Sequence, residues 1–399
     1  MKGLTFRFGI ALLTFVVGVG AATAWVFKSR QATIEPVVIA ENGAAANTAT
    51  LEMVFVLDTT SSMSGLLEGA KQRIWGIVNE VMQSSSHPDV RIGLVAYRDR
   101  GDQYVTRILP LTNDLDKVYS TLMDYRAEGG GDVPENVRRA LVDGVRQAGW
   151  SQRSSRVAQI IFLVGDAPPH DDYKDEPDTT TTTIEALQQG MIVNTIQCGN
   201  IAGTREVWQT IAQRGQGQYF SIAQDGGVQA IATPYDEQLG ALGTKLGGTY
   251  MAYGGGGGSA GEAYRGRMAA DTSVMESKVA ASAPAPAKAE RAMNKAVNSY
   301  AYVGDLLQSI ENGSVKLDSI KEEELPADLR KLSPDARRQE IEKRLAARHD
   351  LRAQILALSK QREEFIATER RKQNGGKQSG FDAAVATALK EQLLRKGIK

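Results

Sequence analysis

Six short apolar runs separated by longer, helically periodic stretches occupy residues 52–222, and that alternation constrains the chain more than any other feature. Strand candidates fall at 52–57, 91–97, 104–109, 157–164, 192–197 and 218–222, with helix-like segments at 63–82, 114–125, 134–148, 181–189 and 205–213. Strands that are apolar nearly throughout are buried on both faces, and intervening helices supply the crossovers a parallel sheet requires. The run 104–109 follows its predecessor after the turn-rich RDRGDQ, too short for a parallel crossover, so it is expected as an antiparallel edge strand. The expected fold is α/β: a doubly wound, Rossmann-like, mostly parallel sheet with one antiparallel edge strand. In such sheets ligands bind outside the carboxyl ends of the strands.

The 399 residues leave room for more than this domain, which is expected to span 51–245. Residues 246–295 contain GGGGGSAG and ASAPAPAKAE and are expected as a Gly/Ala/Pro-rich, disordered linker. A charged helical region is expected over 296–399, as an accessory bundle or a coiled coil. Ser333-Pro334 supplies an N-cap and a first-turn proline, and Ile341, Leu345, Ile355, Leu358 and Phe365 recur at near-helical spacing. The net charge of zero conceals an asymmetry: residues 51–225 hold 23 acidic against 16 basic side chains, and 334–399 hold 9 against 16. The tail's cations alternate with glutamates as on a solvated helix, which does not indicate nucleic acid.

Residues 1–30 are expected to export the chain. Lys2 and Arg7 precede an uncharged run at 8–27, about the 20 residues a membrane-spanning helix needs. Ala22-Thr23-Ala24 offers a cleavage site, so a removed signal peptide and a retained membrane anchor are both open. Residues 31–50 follow as a small, polar tether, placing the remainder in the periplasm, anchored at the inner membrane or soluble. The single cysteine, Cys198, excludes an intramolecular disulfide and sits in a strand-like run as a small buried residue.

Chemistry concentrates at strand ends. VFVLDTTSSMSG carries a strand into Asp58, and D-x-T-x-S puts oxygens of Asp58, Thr60 and Ser62 on one side of a tight loop. Such oxygens suit a hard divalent cation. Thr59 and Ser61, on the other side, are expected to bond the turn's own backbone. QIIFLVG ends in Asp166, a second carboxylate at the same edge, and the loop AEGGGDVPENV brings Asp132 from above. Glu135 suits either a helix start, favoured by the macrodipole, or a contact with the site. Arg98 and Asp99 are expected to pair locally. His170-Asp171-Asp172 is open between a solvated acidic loop at the site's rim and a second metal group.

These loops together resemble the von Willebrand factor type A domain family over about residues 50–245. DTTSSM is similar to that family's D-x-S-x-S loop, with Thr60 for the middle serine, and GDAPPH to the loop bearing its last metal-site aspartate, here Asp166. VAYRDRGD, GGGDVPENV and GDAPPH resemble a bacterial, exported or membrane-anchored branch and the domain attached to some alpha-kinases. The resemblance implies a metal-ion-dependent adhesion site in which hydroxyls bind Mg²⁺ directly and the aspartates act partly through water. A partner protein's carboxylate then completes the shell. The family's second loop supplies a threonine, which GGGDVPEN lacks; Asp132 is the substitute oxygen, or the alignment places Gly131 there. An Asp132 ligand would add negative charge and favour Ca²⁺ or Mn²⁺ as competitors.

No phosphate-binding G-x-x-x-x-G-K-[ST] loop, H-E-x-x-H helix or nucleophile–base pair occurs. The expectation is a binding module and not an enzyme, with metal ligands Asp58, Thr60, Ser62, Asp132 and Asp166. Two other readings compete. One is a metal-free scaffold for assembly, and the other is a metal-assisted hydrolase with Asp132, Asp171 or His170 as base.

Overall fold

The alternation along the first strand already prescribes three layers. In β1 (Thr50–Asp58), Leu51, Met53, Phe55 and Leu57 point to one face while Val54 and Val56 point to the other, and all are buried. A strand with no polar face must lie inside a sheet covered on both sides. In the computed structural model, which describes residues 49–82, 88–222, 231–298, 301–373 and 380–396, that is its position.

β1 pairs in parallel with β2 (Asp89–Tyr97) on one side and β4 (Val157–Gly165) on the other. β5 (Ile192–Cys198) and β6 (Gln216–Ile222) extend the sheet in parallel. β3 (Thr106–Thr112) pairs antiparallel with β2 at the opposite edge, giving the order β3-β2-β1-β4-β5-β6. The expected fold class is therefore the observed one, edge strand included.

Helices α1 (Leu67–Met82) and α2 (Leu115–Asp124) cover the first face through Ile74, Trp75, Val78, Val118 and Leu122. Helices α3 (Val137–Arg146), α4 (Thr179–Gln188) and α5 (Thr204–Arg214) cover the second through Leu141, Ala186, Trp208 and Ile211. Burial of each large aliphatic side chain contributes about 1.5–3 kcal/mol, so both layers hold the strand ends rigidly. Cys198 is buried, and burial pushes its thiol up, out of the reactive range.

The region after β6 departs from expectation. α6 (Asp236–Gly247) closes the span expected for the α/β domain, and where the composition suggested a disordered linker over 246–295 the chain forms α7 (Gly258–Ser282) and α8 (Ala285–Val297). Alanine carries the highest helix propensity, and Pro286 sits in the first turn of α8, where it is tolerated. The glycine run is an ordered turn, closed by the buried Arg265 donating to the carbonyls of Gly254 and Gly256. α9 (Leu306–Glu311) and α10 (Ala327–Arg330) follow, then α11 (Pro334–Gln373), a single 40-residue helix capped by the Ser333 hydroxyl. Ile341 and Ile355 are buried along it, and Phe365 packs edge-on to Tyr235.

These helices do not form a separate body; within the described residues they make one compact unit with the sheet. Arg291 of α8 donates to both carboxylate oxygens of Asp116 in α2, at 2.9 and 2.7 Å, and to both of Glu276 in α7, at 2.9 Å each. Lys295 also donates to Glu276, and Arg348 of α11 to the buried Asp305. The last helix, α12 (Gly380–Arg395), lays Val385, Ala388, Leu389 and Leu393 into the first-face core. Its Gln392 exchanges two amide hydrogen bonds, of 3.1 and 2.8 Å, with Asn194 of β5. No helix among the described residues is long and apolar enough to cross a membrane; the expected anchor and most of the tether lie outside them.

Candidate functional site

Asp58 is the last residue of β1, and its carboxylate is buried at the sheet's carboxyl edge. The chain then turns so that Thr60 donates to Asp58 Oδ1 twice, from its amide at 2.9 Å and its hydroxyl at 2.7 Å. Ser62 Oγ lies 3.0 Å from Thr60 Oγ1 and donates to Asp166 Oδ1 at 2.9 Å. Four of the five expected ligands thus share one hydrogen-bonded cluster. Thr59 and Ser61 do face away, but they bond the neighbouring strand and loop instead of their own turn. Thr59 donates to the Tyr97 carbonyl at 2.9 Å and Ser61 to that of Gly129 at 2.6 Å.

Asp132 is the exception. Its side chain is 62% exposed, and its carboxylate lies 3.5 Å from His170 Nε2, with no bond to the Asp58 cluster among the described residues. The carboxylate that the glycine loop does deliver is Glu135. It is 1% exposed and stands against Asp58 and Thr60. Gly130 shows why the loop must be glycine here: it holds φ at +74°, and a Cβ would meet Glu135 Oε1 at 2.8 Å and Thr60 Cβ at 3.1 Å. The helix α3 begins later than expected, capped by Asn136 Oδ1, so Glu135 precedes it in extended backbone. There its amide donates to the Pro168 carbonyl at 3.0 Å, and its carbonyl accepts from His170 N at 3.1 Å. This clamp joins the second and third loops and turns Glu135 inward. Of Glu135's two sequence readings, the contact role is the one the structure shows.

The electrostatics are those of an uncompensated anionic site. Burial and then the neighbouring Asp166 push the Asp58 carboxyl up to about 7. Burial, followed by Asp58 and Asp99, pushes Glu135 up to about 9. Burial also raises Asp166. Among the described residues no lysine or arginine pairs with any of the three. Asp58 Oδ2, Glu135 Oε2 and the Tyr97 hydroxyl are buried without a hydrogen-bond partner. Gly165 leaves room for this floor, since a Cβ there would meet the Tyr97 hydroxyl and, at 2.9 Å, Asp58 Cβ. Buried polar atoms are normally satisfied, so these orphans ask for a cation. Three carboxylates and two hydroxyls are a donor set that fits a hard divalent ion.

Around this cluster the other motifs are structural. Arg98 donates to the Arg126 carbonyl and to Glu128, at 3.0 and 3.3 Å, and does not pair with Asp99 as the sequence suggested. Asp99 instead accepts from the Tyr173 hydroxyl. Arg100 is bound to Asp175 and Glu176, while Asp102 accepts from the amides of Asp99 and Gly130, so the Arg-Gly-Asp tripeptide holds the loops in place.

The profile of the von Willebrand factor A domain family matches residues 52–234. A protein of Acanthamoeba polyphaga mimivirus that carries the name ariadne-like RING finger protein is 28% identical over 127 residues, 31% of this chain and 12% of that protein. Among solved structures, the VWA domain of SpRpn10 has a TM-score of 0.35 and 15% identity, covering 44% of this chain and 89% of its own. The pilus adhesin SpaC from Lactobacillus rhamnosus GG, in an open conformation, has a TM-score of 0.35 and 13% identity, covering 45% of this chain and 29% of its own. The sheet order and the strand-end loops agree with the profile match, and together they support a von Willebrand factor A domain over residues 52–234.

Proposed function

We propose that this chain is a divalent-metal-dependent protein-binding module of the adhesion type, not an enzyme, working outside the cytoplasm. The observation that carries the reading is the hydrogen-bonded cluster of the buried Asp58, Thr60 and Asp166 with the exposed Ser62, in which Asp58 Oδ2 is buried and unsatisfied. Asp58, Thr60, Ser62 and Asp166 would hold Mg²⁺, with Glu135 in the place the sequence gave to Asp132. The ion would supply a positive charge at the sheet edge, where a carboxylate on a partner protein completes its shell. The protein's own part is to keep the donors fixed on rigid strand ends. A third carboxylate makes the site more anionic than two, which favours Ca²⁺ or Mn²⁺ as competitors over a purely Mg²⁺-selective site. The uncharged run at 8–27, as anchor or cleaved signal, supports a periplasmic location.

Calorimetric titration of Mg²⁺ into the wild-type chain and Asp58→Ala tests the metal step. Binding in the first and none in the second is the expected result; equal absence of binding in both rejects it. Crosslinking and pull-down from membranes, with and without EDTA, tests the partner step. A partner captured equally under both conditions, and by Asp58→Ala, would favour the metal-free scaffold.

A further inference from the structure

Beside the Asp58 cluster lies a second group of ligand-type side chains that the first site does not use. His170 is 6% exposed, Asp99 5% exposed, and Asp132 forms the solvent-facing lip. Asp99 Oδ2 lies 3.3 Å and Asp132 Oδ1 3.5 Å from His170 Nε2, and one ligand atom from each residue lies within 4.8 Å of the other two. Yet His170 Nε2 is buried with no hydrogen bond of acceptable geometry. It faces the space between two carboxylates at ion-pair distance from both, hydrogen-bonded to neither.

The ring is held in that direction from the other side. Asp172 lies 2.9 Å from His170 Nδ1. With a metal bound, a carboxylate there would hold the proton on Nδ1 and turn the Nε2 lone pair toward the ion, the usual support of a metal-binding imidazole. Tyr173 stacks on the ring at 4.1 Å with an interplanar angle of 7° and donates its hydroxyl to Asp99. Arg100 closes the stack, 3.9 Å above Tyr173. Imidazole nitrogen and carboxylate oxygen ligands stand about 2.0–2.2 Å from a four-coordinate Zn²⁺, which separates them from each other by about 3.3–3.5 Å. The two His170 separations fall in that range.

We propose that Asp99, Asp132 and His170 hold a second divalent ion, of the borderline class that imidazole and carboxylate share, with Zn²⁺ as its type. Asp172 acts as a positioning residue for His170. Three protein ligands leave a coordination position open on the Asp132 side. If the first site binds its partner as proposed above, that partner would meet a second cation beside the first, across the loop clamp that Glu135 and His170 form through their backbones. The second site itself does not depend on that reading.

The test titrates Zn²⁺, and separately Co²⁺, into the full chain in detergent with Mg²⁺ saturating. Wild type and Asp58→Ala are expected to bind one Zn²⁺ per chain and to develop a visible Co²⁺ ligand-field band. His170→Gln and Asp132→Asn are expected to lose both signals, and Asp172→Asn to weaken Zn²⁺ binding by about 10–100-fold. Because Asp132 is exposed, its variant serves if His170→Gln fails to fold, which metal-free melting curves would reveal. Zn²⁺ binding unchanged in His170→Gln or Asp132→Asn overturns the proposal, as does a wild-type chain that binds none, its His170 being merely ion-paired. Binding abolished by Asp58→Ala alone would assign the Zn²⁺ to the first site. Loss of Mg²⁺ binding in wild type with Zn²⁺ binding intact would reject the first reading and leave this one standing.

Discussion

Two sets of buried carboxylates in this molecule are treated in opposite ways. Asp116 and Glu276, under the helical region, receive four hydrogen bonds from Arg291 and one from Lys295. Asp58, Glu135 and Asp166, at the sheet edge, receive hydroxyls and amides but no cation from the described residues. Burial raises the carboxyl of Glu276 too, but Arg291 and Lys295 outweigh it and hold the group below the usual carboxylate range. Asp58 and Glu135 stand at about 7 and about 9. Where the chain needs permanent cohesion it supplies its own counter-charge. Where it leaves the charge open, the proposed metal ion would supply it.

The sharpest way to break this contrast is to remove the internal cation. Arg291→Met would leave two carboxylates buried together, and truncating one side of a buried ionic group costs about 3–5 kcal/mol. Urea denaturation should show that loss with the sheet-edge metal response intact; an unchanged midpoint would mean the network contributes nothing net. At the sheet edge the sign reverses. Mg²⁺ at about 100 times its dissociation constant should stabilise wild type by about 2.7 kcal/mol, and Asp58→Asn should abolish that gain without lowering stability in EDTA. A variant that melts earlier in EDTA would mean Asp58 is a structural acceptor first.

The two regions should also differ in pH response. A carboxyl raised in the folded state binds protons more tightly there than when unfolded, so its contribution to stability falls as pH rises through its folded value. In EDTA, wild type should therefore lose stability relative to Asp58→Asn between about pH 4 and 7, from the ordinary aspartate value up to the folded Asp58 value of about 7, and change little above it. Glu276 runs the other way. Its contribution is present above the ordinary glutamate value of about 4.3 and is lost as pH falls through its lower folded value. Differential melts of the two variants against wild type at stepped pH check both signs. The smallest effect belongs to a neutral pair. Gln392→Ala, which leaves the buried Asn194 NH2 without its acceptor while its Oδ1 keeps the Gln218 amide, should cost about 1 kcal/mol and leave Mg²⁺ affinity unchanged.

The sheet was legible because its strands are buried on both sides, and a run such as MVFVL admits few other fates. Asp58, Thr60, Ser62 and Asp166 were legible for the same reason: a polar residue at the end of such a strand has only one edge to occupy. Asp132 and Glu135 were not separable in this way. They stand three residues apart in a glycine loop, and which one turns inward is decided by the Glu135 amide bonding Pro168, a partner from another loop. His170 was visible as a motif, but its burial depends on Tyr173 and Asp99 closing over it. The helices at 258–282 and 285–297 were hidden by composition. Glycine and proline counts describe their ends, whereas what fixes them is an ion pair between positions 116 and 291.

The docking of α12 bears on how the chain acquires its structure in time. The first face of the sheet is finished only when Val385, Leu389 and Leu393 arrive, long after Ile222 closes the last strand. At synthesis rates of about 5–20 residues per second, that interval lasts roughly 10–30 s. Throughout it, the part of the first-face apolar surface that α12 covers and the Asn194 side-chain NH2 lack the partners that α12 brings. A nascent protein of this design therefore passes through an open, aggregation-prone stage whose length is set by its helical extension. Moving α12 next to β6 by circular rearrangement would shorten it.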